Sequence, residues 1–458
     1  MFLQRYFNPT TQRSLLRLGA PVVAGNVGLV LIGLVDNAMV GRLGYVPLAA
    51  AGISNTVFFI ATIFGIGVLM VFSATIAGEQ TKKEPKTQNI INASMLINVG
   101  LSIFTFIVLQ LLIEYFWIFK QTAAVEAAAI PYFRVLAYSM LPMFLYLTFK
   151  SVSDGHNLTR AAMYATFLAL GLNAALNWIF IYGKLGSPAY GLVGAGYATF
   201  ISRSFMALFV GLYCIYHRRI NMSWSTFKRK IYRDHVKRLL RLGVPSGWQF
   251  FFEVSAFAGA AIIAGQIGEP ELAAHTIAIQ LAAFTYMFAS GISVAGMIKV
   301  GETWEQDQQG KTIAIGRNTT FMVSVFMFVS AICFVIFRNP LVNLFTEEPV
   351  VSSIASSLMI LAALFQFFDG LQAVSLGLLR GMGDTKIPSY ITLFAYWVIA
   401  LPMAYYLGKY TSLEMFGVWI GLTIALVLAS LFLYRRFISL AKEKNQFEVS
   451  DHIHVSRN

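Results

Sequence analysis

The sequence predicts an all-α integral membrane protein whose twelve transmembrane helices form two pseudo-symmetric six-helix bundles, and three observations predict it. The 458 residues are 57% hydrophobic and only 12% charged, with a mean hydropathy of +0.67, whereas soluble domains are about one half apolar and one quarter charged. Runs without Asp, Glu, Lys or Arg recur at 43–78, 87–113, 161–183, 318–337, 387–408 and 415–434. Each is long enough to cross a bilayer core, which takes roughly 20 apolar residues of helix. Finally, the two halves of the chain repeat one another.

Taken in order, the apolar runs place spans near residues 15–40, 48–77, 89–117, 124–149, 161–183 and 190–215, then near 238–264, 272–298, 316–337, 350–378, 387–408 and 414–436. The N-terminal stretch Met1 to Arg17 carries three arginines but no short apolar core with a small-residue cleavage signature, so the first span reads as retained. The expected organisation is an N-terminal six-helix lobe (1–216), a cytoplasmic basic linker (217–237) holding Lys228, Arg229 and Lys230, a C-terminal six-helix lobe (238–440) and a cytoplasmic polar tail (441–458).

Basic residues near span ends stay in the cytoplasm. Placing the N-terminus there puts 27 of the 34 Lys and Arg residues in cytoplasmic segments and five (Arg42, Lys120, Lys184, Arg338, Lys409) outside, with Arg134 and Arg203 inside spans. Both termini are therefore expected in the cytoplasm of a bacterial-type inner membrane. The net charge of +13 serves topology and lipid headgroups, and no nucleic-acid partner is expected. Cys214 and Cys333 lie far apart in apolar runs and read as inert core thiols.

The repeat rests on polar and glycine matches, which apolar composition alone does not produce. A shift of 224 residues superposes Arg17, Gly19 and Pro21 on Arg241, Gly243 and Pro245, then Gly41, Gly44, Leu48 and Gly67 on Gly265, Gly268, Leu272 and Gly291. A shift of 226 superposes Gly155 and Thr159 on Gly381 and Thr385. With an even number of spans per half, this is a parallel repeat about an axis along the membrane normal, an arrangement that commonly encloses a central cavity.

Charged side chains inside spans cost about 2.5–3.5 kcal/mol on insertion scales and are functional candidates. Asp36, Arg134, Arg203, Glu253 and Asp369 qualify. Three buried acids need protons, a metal cation or basic partners to balance them, so an ion site is expected at Glu253 and Asp369 or around Asp36. Neither Glu253 nor Asp369 has an acid at its repeat-related position, where Leu29 and Met143 stand. Phe250, Phe251, Phe252, Phe257, Tyr286, Phe365, Phe367 and Phe368 crowd the same segments, a setting whose ring faces suit organic cations. In the first half, Asn173 and Asn177 share a helical face and Thr199 lies on the next span. With Asp36 they supply hard oxygen ligands for sodium or a proton relay, or ordinary interhelical hydrogen bonds. No phosphate loop, HExxH or GxSxG motif occurs, so an enzyme is not expected. His275 on its apolar span reads as a packed histidine.

These residues resemble the multidrug and toxic compound extrusion family, in particular its NorM-like branch. The likeness is carried by VDNAMVGRLG at 35–44, NAALNWIFIYG at 173–183, GLVGAGYAT at 191–199, RLGVPSGWQFFFEVSAFAG at 241–259, ELAAHTIAIQ at 271–280 and FQFFDGLQAVSLGLLRGMGDT at 365–385. The resemblance implies a V of two six-helix lobes and antiport of drugs against Na+ or H+, with no cofactor. It also implies that Glu253 and Asp369 couple the cation, with Phe257 and Tyr286 beside them, and that Asp36, Asn173, Asn177 and Thr199 form the other lobe's polar site. One position departs, since Thr276 follows His275 where the family often has Gln. The expected protein is a monomeric secondary exporter of small drugs and organic cations lying in the bilayer. A flippase for lipid-linked oligosaccharide is the rival reading.

Overall fold

The structure, a computed structural model, describes residues 8–220, 222 and 232–455, with 444–455 described by backbone alone. Lys228, Arg229 and Lys230 of the expected linker lie outside the described residues, as do residues 1–7 and the end of the expected tail, 456–458.

Among the described residues, twelve helices are long and apolar enough to cross a membrane. They are α1 (Pro9–Gly41), α2 (Tyr45–Gln80), α3 (Thr87–Glu114), α4 (Ala123–Gly155), α5 (Arg160–Tyr182), α6 (Leu192–Tyr216), α7 (Arg233–Ile267), α8 (Glu269–Glu305), α9 (Gln309–Ile336), α10 (Pro349–Gly381), α11 (Lys386–Tyr410) and α12 (Glu414–Val455). Several outrun their apolar stretches. α1 begins six residues before the expected span and α8 ends seven after it, because a charge-free run marks only the hydrocarbon-buried part of a helix. Backbone hydrogen bonding continues into the polar layer beyond.

α11 is not α-helical throughout, since Phe394–Ala400 is a π-helical stretch. Its end meets Pro402, which lacks an N–H to offer Val398 and whose ring crowds that carbonyl, a recognised cause of a widened turn. The stretch holds the ring of Tyr396 fully buried.

The chain forms two compact units. One takes Ala24–Gln80 and Glu84–Gly247; the other takes α1 as far as Val23, Thr81–Lys83 and the chain from Trp248 onward. The boundaries inside α1 and α7 fall two residues after Pro21 and Pro245. They are 224 residues apart, the spacing of the repeat.

The repeated glycines mark close helix contacts within each unit. A Cβ on Gly19 would lie 3.3 Å from the carbonyl oxygen of Gly291, and one on Gly291 would lie 2.3 Å from Val23 Cγ2 and 2.8 Å from its backbone nitrogen. In the other unit, the repeat mate Gly243 packs in the same way on Val68, next to Gly67. Small residues let helix backbones approach where the bilayer supplies no hydrophobic drive. Around these contacts each unit fills its core with large side chains, Phe72, Phe133 and Phe144 in one and Phe365, Trp419 and Phe437 in the other.

Candidate functional site

Each unit carries its own buried polar cluster. In the unit containing most of α7 to α12, Glu253 is 8% exposed and Asp369 7%. Gln249 and Glu253 are one helical turn apart on α7, and the amide of Gln249 donates to Glu253 Oε2 at 3.0 Å. Gln372, one turn after Asp369 on α10, donates to Glu253 Oε1 at 3.2 Å and to the hydroxyl of Tyr396 at 3.0 Å. Arg380 donates to the Oε1 of Gln249, and its guanidinium lies 4.7 Å over the ring of Phe250. Asp369 accepts no hydrogen bond among the described residues, and it is near enough to Glu253 for the two charges to act on each other. Tyr286 on α8 feels both carboxyls and Arg380.

The structure thus brings together the residues expected from the second half. Phe257 packs edge-on against Tyr396 at 5.6 Å and against Phe365 at 6.0 Å. The other aromatics divide: Phe365 packs on Trp419, Phe251 and Phe252 cluster with Trp248, and Phe367 and Phe368 meet each other. His275 packs edge-on against Trp419. Thr276 is exposed and bonds back to the carbonyl of Leu272, so the departure from the family pattern falls on an exposed face of α8.

In the other unit, Asp36 of α1 accepts from Asn177 Nδ2 at 2.5 Å on Oδ1 and from Thr199 at 3.2 Å on Oδ2. Asn177 also donates to Asn173 Oδ1 at 3.1 Å. All four residues expected from the first half therefore meet. The buried Oδ1 of Asn177 is left without a partner, an oxygen acceptor beside a carboxylate that suits a small hard cation. Asp36 and Thr199 line a cavity of about 610 Å³ whose other polar groups include Tyr132, Lys150 and Arg203. Arg203 donates to Ser139 at 2.6 Å and lies 4.8 Å over Phe58. Lys150 pairs with Asp154 at 2.6 Å.

Three placements differ from expectation. Arg380, counted among cytoplasmic bases, is 6% exposed and belongs to the Glu253 cluster; its helix continues to Gly381, and its side chain bonds to Gln249 and lies over Phe250. Arg134 does not balance a buried acid but is exposed on α4. Cys333 is exposed on α9 rather than buried, whereas Cys214 is buried. Gln249, Gln372 and Tyr396 escaped sequence reading, although Gln249 stands at the i−4 position from Glu253, a legible signal. Among the described residues, no group of three or more His, Cys, Asp or Glu side chains is placed to hold a metal.

Comparison with known proteins places this geometry in context. The MatE family's sequence model matches residues 21–179 and 245–406, two stretches that begin 224 residues apart. Among curated proteins, a probable multidrug resistance protein NorM of Pasteurella multocida (strain Pm70) is 32% identical over 93% of this chain and 93% of its own length. The multidrug resistance protein NorM of Vibrio cholerae serotype O1 (strain ATCC 39315 / El Tor Inaba N16961) is 31% identical over 95% of this chain and 97% of its own. Among solved structures, a MATE protein in the bent conformation superposes with a TM-score of 0.88 at 22% identity, covering 96% of this chain and 97% of that one. An outward-facing multidrug resistance MATE family transporter of the MOP superfamily superposes with a TM-score of 0.87 at 24% identity, covering 95% and 96%.

Proposed function

The chain belongs to the MatE family, and on that premise we propose that it is a secondary active multidrug efflux transporter, exchanging Na+ or H+ for amphipathic, often cationic compounds by alternating access. It is a transporter rather than an enzyme, works as a monomer without a cofactor, and lies in the inner membrane with both termini in the cytoplasm. Its transport lobes are residues 1–216 and 238–440, joined by the 217–237 linker and followed by the 441–458 tail.

The observation that carries this reading is Asp369, a buried carboxyl with no hydrogen-bond donor of its own close to a second carboxyl, Glu253. Such a pair takes up a positive charge far more readily than it stays doubly ionised. Phe257 and Tyr286 give it an aromatic surround for an organic cation. Asp36, Asn173, Asn177 and Thr199 offer a second oxygen-lined position for the coupling ion. Ion and drug compete through their different affinities for the inward- and outward-open states, which couples the two fluxes.

The relatives are named for multidrug resistance, and nothing in the acidic, aromatic cluster favours a lipid-linked oligosaccharide. The test is efflux of a fluorescent organic cation from proteoliposomes under a sodium gradient alone and then a pH gradient alone. One gradient is expected to drive wild-type efflux, and D369N is expected to abolish it while leaving the protein inserted. Efflux in D369N that still follows the gradient at the wild-type rate would overturn the assignment.

A further inference from the structure

Arg134 is a charged residue inside a transmembrane helix that neither buried cluster uses. It is exposed and makes no ion pair or hydrogen bond among the described residues. The nearest acid on its own helix, Glu126, lies eight residues earlier, about 12 Å along the axis. Its depth follows from packing. Gly196 of α6 meets the neighbouring Val135, with a Cβ there 3.2 Å from the valine side chain. Arg134 is therefore level with a point one turn inside the start of α6, about 6 Å from that helix end. Tyr138, Tyr190 and Tyr197, of the residue type that collects at membrane–water interfaces, stand exposed nearby.

Arg134, Val135, Tyr138, Tyr197 and Phe200 line a groove of about 470 Å³ between α4 and α6. Arg134 is the one charged residue of this lining and the others are aliphatic or aromatic, a match for a molecule with an anionic head and an apolar chain. We propose that this groove binds an anionic phospholipid of the leaflet next to the Tyr182–Leu192 connection, the phosphate seated on Arg134 and an acyl chain lying along Val135 and Phe200. A guanidinium offers a planar fork that grips two phosphate oxygens at once. Tyrosine hydroxyls at the same level can donate to the remaining oxygens. The lipid's net negative charge satisfies an arginine that no carboxylate of the described chain reaches.

The purified full-length protein, titrated with dioleoyl phosphatidylglycerol and followed by native mass spectrometry, is expected to hold one lipid more tightly than its phosphatidylcholine counterpart. R134Q should weaken phosphatidylglycerol binding about tenfold, and R134K by less, since it keeps the charge without the fork. R42Q removes a basic residue from another connection and should bind as the wild type does. The same lipid should raise the melting temperature of the wild type and leave that of R134Q unchanged, a readout of binding to the folded state. Equal binding by R134Q and wild type would overturn the proposal. So would displacement of the lipid by millimolar inorganic phosphate, which would make this a simple anion site.

Discussion

Gln372 donates its amide to Glu253 across 119 positions of sequence and ties α10 to α7 at the acidic cluster. The same nitrogen lies 3.0 Å from the hydroxyl of Tyr396, so the carboxylate, the amide and the π-helical stretch of α11 form one connected network. Hydrogen bonds to charged groups are worth about 1.5–3 kcal/mol. Q372A is therefore expected to lower ion-coupled efflux at least tenfold, read as initial rate against coupling-ion concentration in proteoliposomes. A wild-type curve would remove Gln372 from the coupling machinery.

Arg380 serves the same cluster from a greater distance, through Gln249 and over Phe250. Lysine cannot reproduce its planar contacts. R380K should retain membrane insertion but lose most efflux, and R380A should also lower the melting temperature, because Gln249 and Phe250 lose their partner. The paired measurements are efflux rate and thermal stability in detergent.

At Asp36 the two donors are unequal, Asn177 at 2.5 Å and Thr199 at 3.2 Å. N177A should reduce efflux at least tenfold, and T199A about two- to threefold, since weaker geometry contributes less. Equal losses in growth-inhibition and dye-efflux assays would contradict that ranking.

Gly291 and Gly100 provide a packing test. A Cβ at Gly291 would collide with Val23, whereas Gly100 on α3 has nothing within 4 Å. G291A is expected to destabilise by about 1–3 kcal/mol, the usual cost of overpacking. G100A is expected to be neutral or to stabilise by up to about 1 kcal/mol, through helix propensity. Unfolding in denaturant, monitored for both variants, checks the contrast.

His156 caps α4 and is buried, with its Nδ1 2.7 Å from the carbonyl oxygen of Val152. Burial pushes its imidazole below the ordinary range, and His217 nearby adds to the effect, against the opposing pull of the Val152 carbonyl. The unfolded chain then binds a proton more readily than the folded one. The stability this contributes is present above the usual histidine range near 6.5 and is lost as pH falls below it. H156Q should flatten the melting temperature between pH 7 and pH 5, relative to the wild type.

The helices were legible because a bilayer demands unbroken apolar length, which a single sequence displays directly. Their ends were not, since Glu305 and Gln309 stay helical beyond the hydrocarbon layer, where charge ceases to be costly. Glu253, Asp369 and Asp36 stood out because a charge in an apolar run is expensive and therefore rare. Gln249, Gln372 and Tyr396 are uncharged and so less conspicuous in an apolar run, and their role arises from contacts between distant segments that spacing along one helix cannot show. Arg380 was misplaced for a related reason. It sits at the end of a run, where charge alone does not tell a solvated base from one drawn inward by a glutamine and a phenylalanine ring.

The division of α1 after Val23 and of α7 after Gly247 bears on how such a molecule arose by duplication. A single ancestral half, folded alone, would have lacked the helix segment that completes its own packing, and could have gained it only by trading leading ends with an identical copy. Fusing the two genes would have made that trade permanent within one polypeptide. On this view, separately expressed halves of the modern chain should accumulate only when produced together.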